Sequence, residues 1–323
     1  MKAIRIERFG GPEVLSFKEL PSAPQPQNAE ILVRLEAIGV NFIDVYHRTG
    51  LYAVPLPFTP GSEGAGVVEK VGGGVTDFKE GDRVGFASVL GTYAEMAVIP
   101  AAKTVPLPKS TGAIHAAAVL LQGMTAHYLT QSIYRIQAGD FVLVHAAAGG
   151  VGLLLVQIAK SRSAIVIGTV STEEKARIAR DAGADSVILY TEKDFVPEVK
   201  RITAGQGADV VYDSVGLSTF ERSLDCLRPR GMMVSFGQSS GAVPPFSPLL
   251  LSNKGSLFLT RPSLGHYVLT REELLLRARE VFEWINEGVI KIRIDQTFSL
   301  QDAAEAHRRI ESRASSGKIL LIP

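Results

Sequence analysis

The sequence predicts an α/β fold: a doubly wound parallel sheet beside a second, β-rich domain. Two observations predict it. From residue 141 onward, apolar strand candidates alternate with helix candidates at the spacing of βαβ units. The first third, by contrast, carries short strands separated by Gly, Pro and Asp, the pattern of a small barrel or sandwich. A length of 323 residues suits two domains, each able to bury its own core.

Taken in order, residues 2–9 and 14–19 alternate apolar and charged residues about a Gly10-Gly11-Pro12 turn. A proline-rich surface stretch over 21–26 leads to strands at 31–40, 64–71, 83–87 and 93–99. Residues 115–131 hold Ala, Leu and Met at helical density and lead out of the β-rich part. Strands then fall at 141–147, 164–170, 186–190, 210–214, 232–237 and 257–260, with helices at 150–161, 173–182 and 195–203. A strongly amphipathic helix over 272–286 and a last strand at 318–322 close the chain.

Composition narrows the function. Hydrophobic residues make up 46% and charged residues 21%, which is globular usage and excludes a disordered chain. With 34 Lys+Arg against 33 Asp+Glu, the net charge of +1 gives little support to a nucleic-acid binder held by phosphate contacts. The one cysteine, Cys226, can form neither an internal disulfide nor a cysteine-based zinc site, which points to the cytosol. The N-terminus lacks a signal-peptide core, and no apolar run approaches the ~20 residues of a membrane span.

The most informative stretch is FVLVHAAAGGVGLLLVQIAK at 141–160. An apolar strand enters a turn at Gly149 and Gly150, and a helix opens at once. Side chains at those two positions would hold a pyrophosphate away from the helix N-terminal amides, and Gly152 lets the helix pack against the strand. This is the dinucleotide fingerprint with Ala146 in its first position, A-x-x-G-x-x-G. The next strand ends Thr169-Val170-Ser171 with no carboxylate to bind ribose hydroxyls, and Lys175 follows, so the 2′-phosphate of NADPH suits Ser171 and Lys175. A ligand-free explanation stands beside it: Ser171 and Glu174 fit an S-x-x-E capping box. Glu173 and Glu174 also bring negative charge to that place.

The segments IGVNFIDVYHRTG (38–50), TPGSEGAGVVEKVG (59–72), FKEGDRVGFA (78–87) and GTYAEMAVIP (91–100) resemble medium-chain dehydrogenases/reductases over essentially the whole chain. Where the zinc alcohol dehydrogenases of that family place Cys and His, this chain has Asn41 and Ser62. Glu63 is kept, but one carboxylate does not make a tetrahedral zinc site. HAAAGGVG (145–152), VVYDSVG (210–216), ERSLDCLRPRGMMVSFGQSSG (221–241), GSLFLTRPSL (255–264) and ESRASSGKILLIP (311–323) are similar to the zinc-independent, zeta-crystallin-like NADPH:quinone oxidoreductases. The resemblance implies a cytosolic homodimer using NADPH without metal or flavin. It implies a GroES-like catalytic domain at 1–124 and 263–323 around a Rossmann domain at 125–262.

The family pattern places Asn41, Tyr46, Thr125 and Tyr128 at the nicotinamide end, and Gly150 and Val151, with Gly149 in the same turn, at the pyrophosphate. It places Ser171, Lys175, Tyr190 and Arg313 at the adenosine end. Val215, Phe236, Gly237, Ser239 and Ser240 fall at the carboxyl ends of later strands, and Arg261 and Ser263 follow the last strand, all expected to meet the cofactor. Asn41, Tyr46 and Tyr52 are the expected catalytic residues, the two tyrosines as donors or aromatic walls for a quinone; each could equally pack as an ordinary core aromatic. His145 reads as a hydrogen-bonded core residue; His47 and His127 could approach the cleft but read as structural. Cys226 reads as a buried thiol without a helper base. Quinone reduction is the leading function. Reduction of enone double bonds, or a non-enzymatic structural or AU-rich RNA-binding role, stands as the alternative.

Overall fold

A computed structural model describes all 323 residues. The chain forms two units, one of Met1–Met124, Val268–Glu283 and Ile292–Pro323, the other of Thr125–Tyr267 and Trp284–Lys291.

The second unit is built on six parallel strands in the order Ser186–Leu189, Ile165–Val170, Phe141–His145, Ala208–Asp213, Leu227–Ser235, Phe258–Thr260. Numbered by chain position this is 3-2-1-4-5-6, the doubly wound order expected from the alternation. The central strands are apolar almost without interruption because both faces are covered; Val142, Leu143, Val144, Val166, Ile167, Val210 and Val211 are fully buried. The order reverses beside Phe141–His145, so the turn at 146–149 opens at the switch point, where such sheets bind ligands. Trp284 joins this unit by stacking on His127, ring centroids 5.1 Å apart.

The first unit is β-rich. Its seven-stranded sheet centres on Glu30–Val40, which pairs with Lys318–Ile322 on one side and Glu63–Val71 on the other, both antiparallel. Arg83–Ala87 and Thr104–Pro106 extend the sheet past Glu63–Val71, and Ile294–Ser299 extends it past the C-terminal strand. Met96–Pro100 also pairs with Glu30–Val40. The strand expected at 93–99 starts at Met96, because the backbone of Tyr93 is bonded elsewhere, to Pro60 O and from the Ile4 amide. The N-terminal strands shorten to Lys2–Arg5 and Ser16–Glu19, with a 3₁₀ turn at Pro12–Val14. The helix expected at 115–131 runs Ala113–Tyr128 and passes into a π turn, Leu129–Ile133.

Two helices absent from the sequence reading, Phe42–Thr49 and Ala303–Glu311, are joined by a chain of buried polar groups. Arg48 is 1% exposed, makes a bidentate pair with Glu311 (2.7 and 2.8 Å) and lies 3.0 Å from His307 Nδ1. An arginine can only donate, so Nδ1 accepts and the proton sits on His307 Nε2. From there it reaches the Tyr93 hydroxyl at 3.1 Å, and Tyr93 donates in turn to Asp44 Oδ2 at 3.1 Å. Asp44 also accepts from Ser62 Oγ at 2.7 Å and the Asn41 amide at 2.9 Å. The donors of these buried groups all find acceptors, which fixes the helix Phe42–Thr49 on its inner side.

Burial pushes the Asp44 carboxyl up to about 6, against the pull of Ser62, the Asn41 amide, Lys318 and Tyr93. Burial, with the Arg48 charge beside it, lowers His307 to about 3. The two act on stability with opposite sign. The Asp44 contribution is present below 3.8 and lost as pH rises through about 6. The His307 contribution is present above 6.5 and lost as pH falls through about 3. Between roughly pH 4 and 6 they offset. Replacing His307 with Gln leaves the Asp44 contribution alone, so that variant gains about 1.4 kcal/mol per pH unit over wild type on acidification through this window. Asp44→Asn loses as much. Urea unfolding midpoints at several pH values check this, and parallel curves for the three proteins contradict it.

Candidate functional site

The carboxyl edge of the parallel sheet collects most of the residues expected to hold a dinucleotide. The helix Gly150–Ser161 begins at Gly149, which has no side chain and therefore supplies no cap. The amides of Gly150 and Val151 thus open the helix with no side chain standing in front of them. Gly152 is required for packing: a Cβ there would lie 2.2 Å from the Ala146 carbonyl oxygen. Ala146 has φ +51°, the left-handed backbone that explains why glycine suits the first position of this turn.

At the end of Ile165–Val170 the structure corrects the capping assignment. The helix cap is Thr172, whose hydroxyl accepts from the Lys175 amide at 3.3 Å; Ser171 and Glu174 do not form the box. The helix starts one residue later than the S-x-x-E spacing requires, which leaves Ser171 at the strand end. Glu173, expected to set negative charge there, is held by Arg180 at 2.6 Å. Tyr190, at the end of the neighbouring strand, is 42% exposed and its amide bonds the Val170 carbonyl.

Further along the edge, buried Asp213 ends Ala208–Asp213 and accepts from the amides of Val215 (2.7 Å) and Gly216 (3.1 Å) and from Thr219 Oγ1 (2.8 Å). This turn binds the end of the next strand: Ser240 donates both its amide and its hydroxyl to the Val215 carbonyl, and the Ser239 amide bonds the Ser214 carbonyl. A Cβ on Gly237 would come within 2.6 Å of the Ser214 oxygen, so the two loops need glycine where they touch. Phe236 lies between these contacts, and Arg261 and Ser263 follow the last strand with exposed side chains. Uncapped amides, close glycine contacts and a strand end without a carboxylate fit a dinucleotide carrying a ribose phosphate.

In the first unit, Asn41 sits where the resemblance would put a zinc ligand, and its surroundings are unlike a metal site. No group of three or more His, Cys, Asp or Glu side chains could hold a metal ion. Strand register explains what stands there instead. Ile319 pairs with Val40, which sets Lys318 beside Asn41, while Gly64 pairs with Ile38 and sets Glu63 beside Gly39. Lys318 and Glu63 flank the central strand and meet across Gly39: Lys318 Nζ is 2.5 Å from Glu63 Oε2 and 2.8 Å from Asn41 Oδ1. A Cβ on Gly39 would lie 2.2 Å from Glu63 Oε2 and 2.5 Å from the Ala117 carbonyl. Asn41 Nδ2 donates to Glu63 Oε2 (2.9 Å) and the Gly39 carbonyl (3.2 Å), and Glu63 Oε1 accepts from the Leu121 amide (2.7 Å). Lys318, Glu63 and Asn41 are 1%, 0% and 3% exposed. The Asn41 amide is therefore committed inside the protein at both its oxygen and its nitrogen.

Asn41 caps the helix Phe42–Thr49, which carries Tyr46. Tyr46 is buried, with Phe42 on one side (5.7 Å between ring centroids) and the edge of Tyr52 on the other (5.1 Å, 63°). The Tyr52 amide bonds the Tyr46 carbonyl at 3.1 Å, so the two expected aromatic residues are brought together. Thr125 and Tyr128 lie on the last turns of the helix Ala113–Tyr128, where Tyr128 stacks on Tyr267 at 4.3 Å. Arg313 is exposed, in the first unit, just after the helix Ala303–Glu311.

His145 and Cys226 are buried as expected of structural residues, whereas His47 is only half-buried and its Nδ1 has no hydrogen-bond partner. His145 is buried between Thr169 Oγ1 and Ser223 Oγ, each at 2.9 Å, and burial lowers its pKa. Burial pushes the Cys226 thiol up to about 12. Sequence reasoning missed Lys318, Asp44, Arg48, Tyr93 and His307. The one local signal was Asn41-x-x-Asp44, the spacing of a cap whose third residue reaches back to the first amide.

Two family models match the chain: the alcohol dehydrogenase GroES-like domain over residues 27–109 and the zinc-binding dehydrogenase over 182–321. The chain is 51% identical over 327 residues to quinone oxidoreductase 1 of Escherichia coli, covering 99% of this chain and 100% of that one. It is 43% identical to 2-haloacrylate reductase of a Burkholderia species, covering 98% of each chain. Among solved structures, Escherichia coli quinone oxidoreductase complexed with NADPH is similar over 100% of both chains, with TM-score 0.97 and 50% identity. With the GroES-like and dehydrogenase models and full-length relatives in agreement, the chain belongs to the quinone oxidoreductase family of the medium-chain dehydrogenases/reductases.

Proposed function

We propose that this protein reduces quinones with NADPH. The observation that carries the reading is the carboxyl edge of the parallel sheet, with open amides at Gly150 and Val151 and no carboxylate at the end of the strand Ile165–Val170. NADPH would supply a hydride, which with one further proton converts a quinone to a hydroquinone. The chain's residues would then bind and orient. Gly149, Gly150 and Val151 receive the pyrophosphate. Ser171, Lys175, Tyr190 and Arg313 hold the adenosine end and its phosphate. Val215, Phe236, Gly237, Ser239, Ser240, Arg261 and Ser263 line the cofactor along the later strands, and Thr125 and Tyr128 serve the nicotinamide. Tyr46 and Tyr52 form an aromatic wall for a planar acceptor, Tyr52 being the more exposed of the two. Asn41 contributes by position, starting the helix that carries Tyr46 through its backbone N–H to Asp44, while its side-chain amide is spent on Lys318, Glu63 and Gly39.

Reduction of an activated carbon–carbon double bond is the second reading, favoured by the likeness to 2-haloacrylate reductase. Steady-state assays with p-benzoquinone, naphthoquinones and short enones separate the two. The expected result is turnover of quinones at much the higher kcat/KM, and faster reduction of enones reverses the assignment. Cofactor choice is read in the same assay. Two partly exposed cation–phosphate contacts, Lys175 and Arg313, at about 1 kcal/mol each, favour NADPH over NADH by roughly thirtyfold. Lys175→Ala/Arg313→Ala should remove most of that preference through a higher KM for NADPH. Equal affinity for the two cofactors in the unmutated protein contradicts it.

The finer reading is a cytosolic homodimer. Phe258–Thr260 ends the six-stranded sheet as an unpaired edge, and Phe258 is 58% exposed. An exposed apolar edge strand is a template for a second copy. Light scattering on the purified protein should give twice the chain mass of 34.7 kDa, and the single-chain mass at micromolar concentration contradicts it.

A further inference from the structure

Lys318 has no part in the roles described above, yet its ammonium is buried where a charge is costly. A lysine that only began a β-strand would turn its amine to solvent. Here the amine is 1% exposed and enclosed by Glu63 and Asn41, and the glycine at 39 is what allows the three to meet. Its two contacts determine the orientation of the Asn41 amide. With Oδ1 held by the ammonium, Nδ2 must face Glu63 and the Gly39 carbonyl. Asn41 is the residue from which the helix Phe42–Thr49 starts, and its backbone N–H, distinct from the side-chain amide, donates to Asp44 on the first turn of that helix. Tyr46 lies one further turn along, against Phe42 and Tyr52.

We propose that Lys318 is a positioning residue for quinone reduction: with Glu63 it locks the Asn41 cap and thereby the placement of Tyr46 at the acceptor. The proposal rests on the reading of Tyr46 as an acceptor-facing residue. The ammonium acts through the protein frame instead of on the substrate.

The variant to make is Lys318→Met/Glu63→Gln, which leaves no lone charge buried and keeps an oxygen for the Leu121 amide. It is assayed with and without Tyr46→Phe. A misplaced reacting geometry costs rate steeply, so kcat for p-benzoquinone should fall roughly tenfold or more, while the Kd for NADPH measured by fluorescence stays within about twofold. In the Tyr46→Phe background the same two substitutions should change kcat by less than about twofold, because the group they position is gone. An unchanged kcat overturns the proposal, and so does an equal fold-loss in both backgrounds, which a merely structural role would give. Should the double variant fail to fold, Lys318→Arg keeps the charge and displaces it, and the same comparison of backgrounds decides. Loss of quinone turnover in the unmutated protein would instead fall on the functional reading, and a Tyr46→Phe enzyme with full activity would fall on Tyr46.

Discussion

A buried ion pair sets the constraint on which the first unit depends. Lys318 and Glu63 come from strands on opposite sides of Glu30–Val40 and meet across a position that tolerates only glycine. Each charge is viable because the other is there; removing one partner of such a pair costs about 3–5 kcal/mol. The pair therefore enforces strand register at the C-terminal strand, the orientation of the Asn41 amide and, through Leu121, the seat of the helix Ala113–Tyr128. The helix that carries Tyr46 is then fixed twice, at its cap by Asn41 and along its inner face by Asp44 and Arg48.

The chemistry follows from this arrangement. Zinc dehydrogenases use a metal to hold the charge that develops on an alcohol oxygen. A buried ammonium paired with Glu63 cannot take that role. What the chain retains is a dinucleotide turn at the switch point of a 3-2-1-4-5-6 sheet, together with aromatic side chains for a planar acceptor. A quinone is electrophilic without Lewis-acid help, so binding, orientation and hydrogen bonding suffice for hydride delivery.

Much of this was legible in the sequence. The six parallel strands announce themselves as apolar runs because both faces of the sheet are covered, and the glycine turn is a local motif whose meaning depends on neighbours in sequence. The helix Phe42–Thr49 was not legible because it is only eight residues long, too short for a periodic pattern to stand out, and its buried face mixes Asp44 and Arg48 with Val45 and Tyr46. Ala303–Glu311 hides in the same way, burying His307 between alanines. The cap at Thr172 differs from the expected one by a single residue, within the ordinary uncertainty of helix starts. Lys318 could not be found locally at all. Its partner Glu63 lies 255 residues away, and at the head of a strand a lysine reads as a solvent-facing charge.

Quinone turnover with NADPH, at a site whose Asn41 is held by a buried Lys318–Glu63 pair, requires no zinc. The most direct test measures metal content and turnover on one preparation, before and after extensive dialysis against a strong chelator. Protein from which zinc has been removed should form hydroquinone at an unchanged rate, in equal measure with NADPH consumed. A rate that falls in proportion to bound zinc and returns when zinc is added would contradict it.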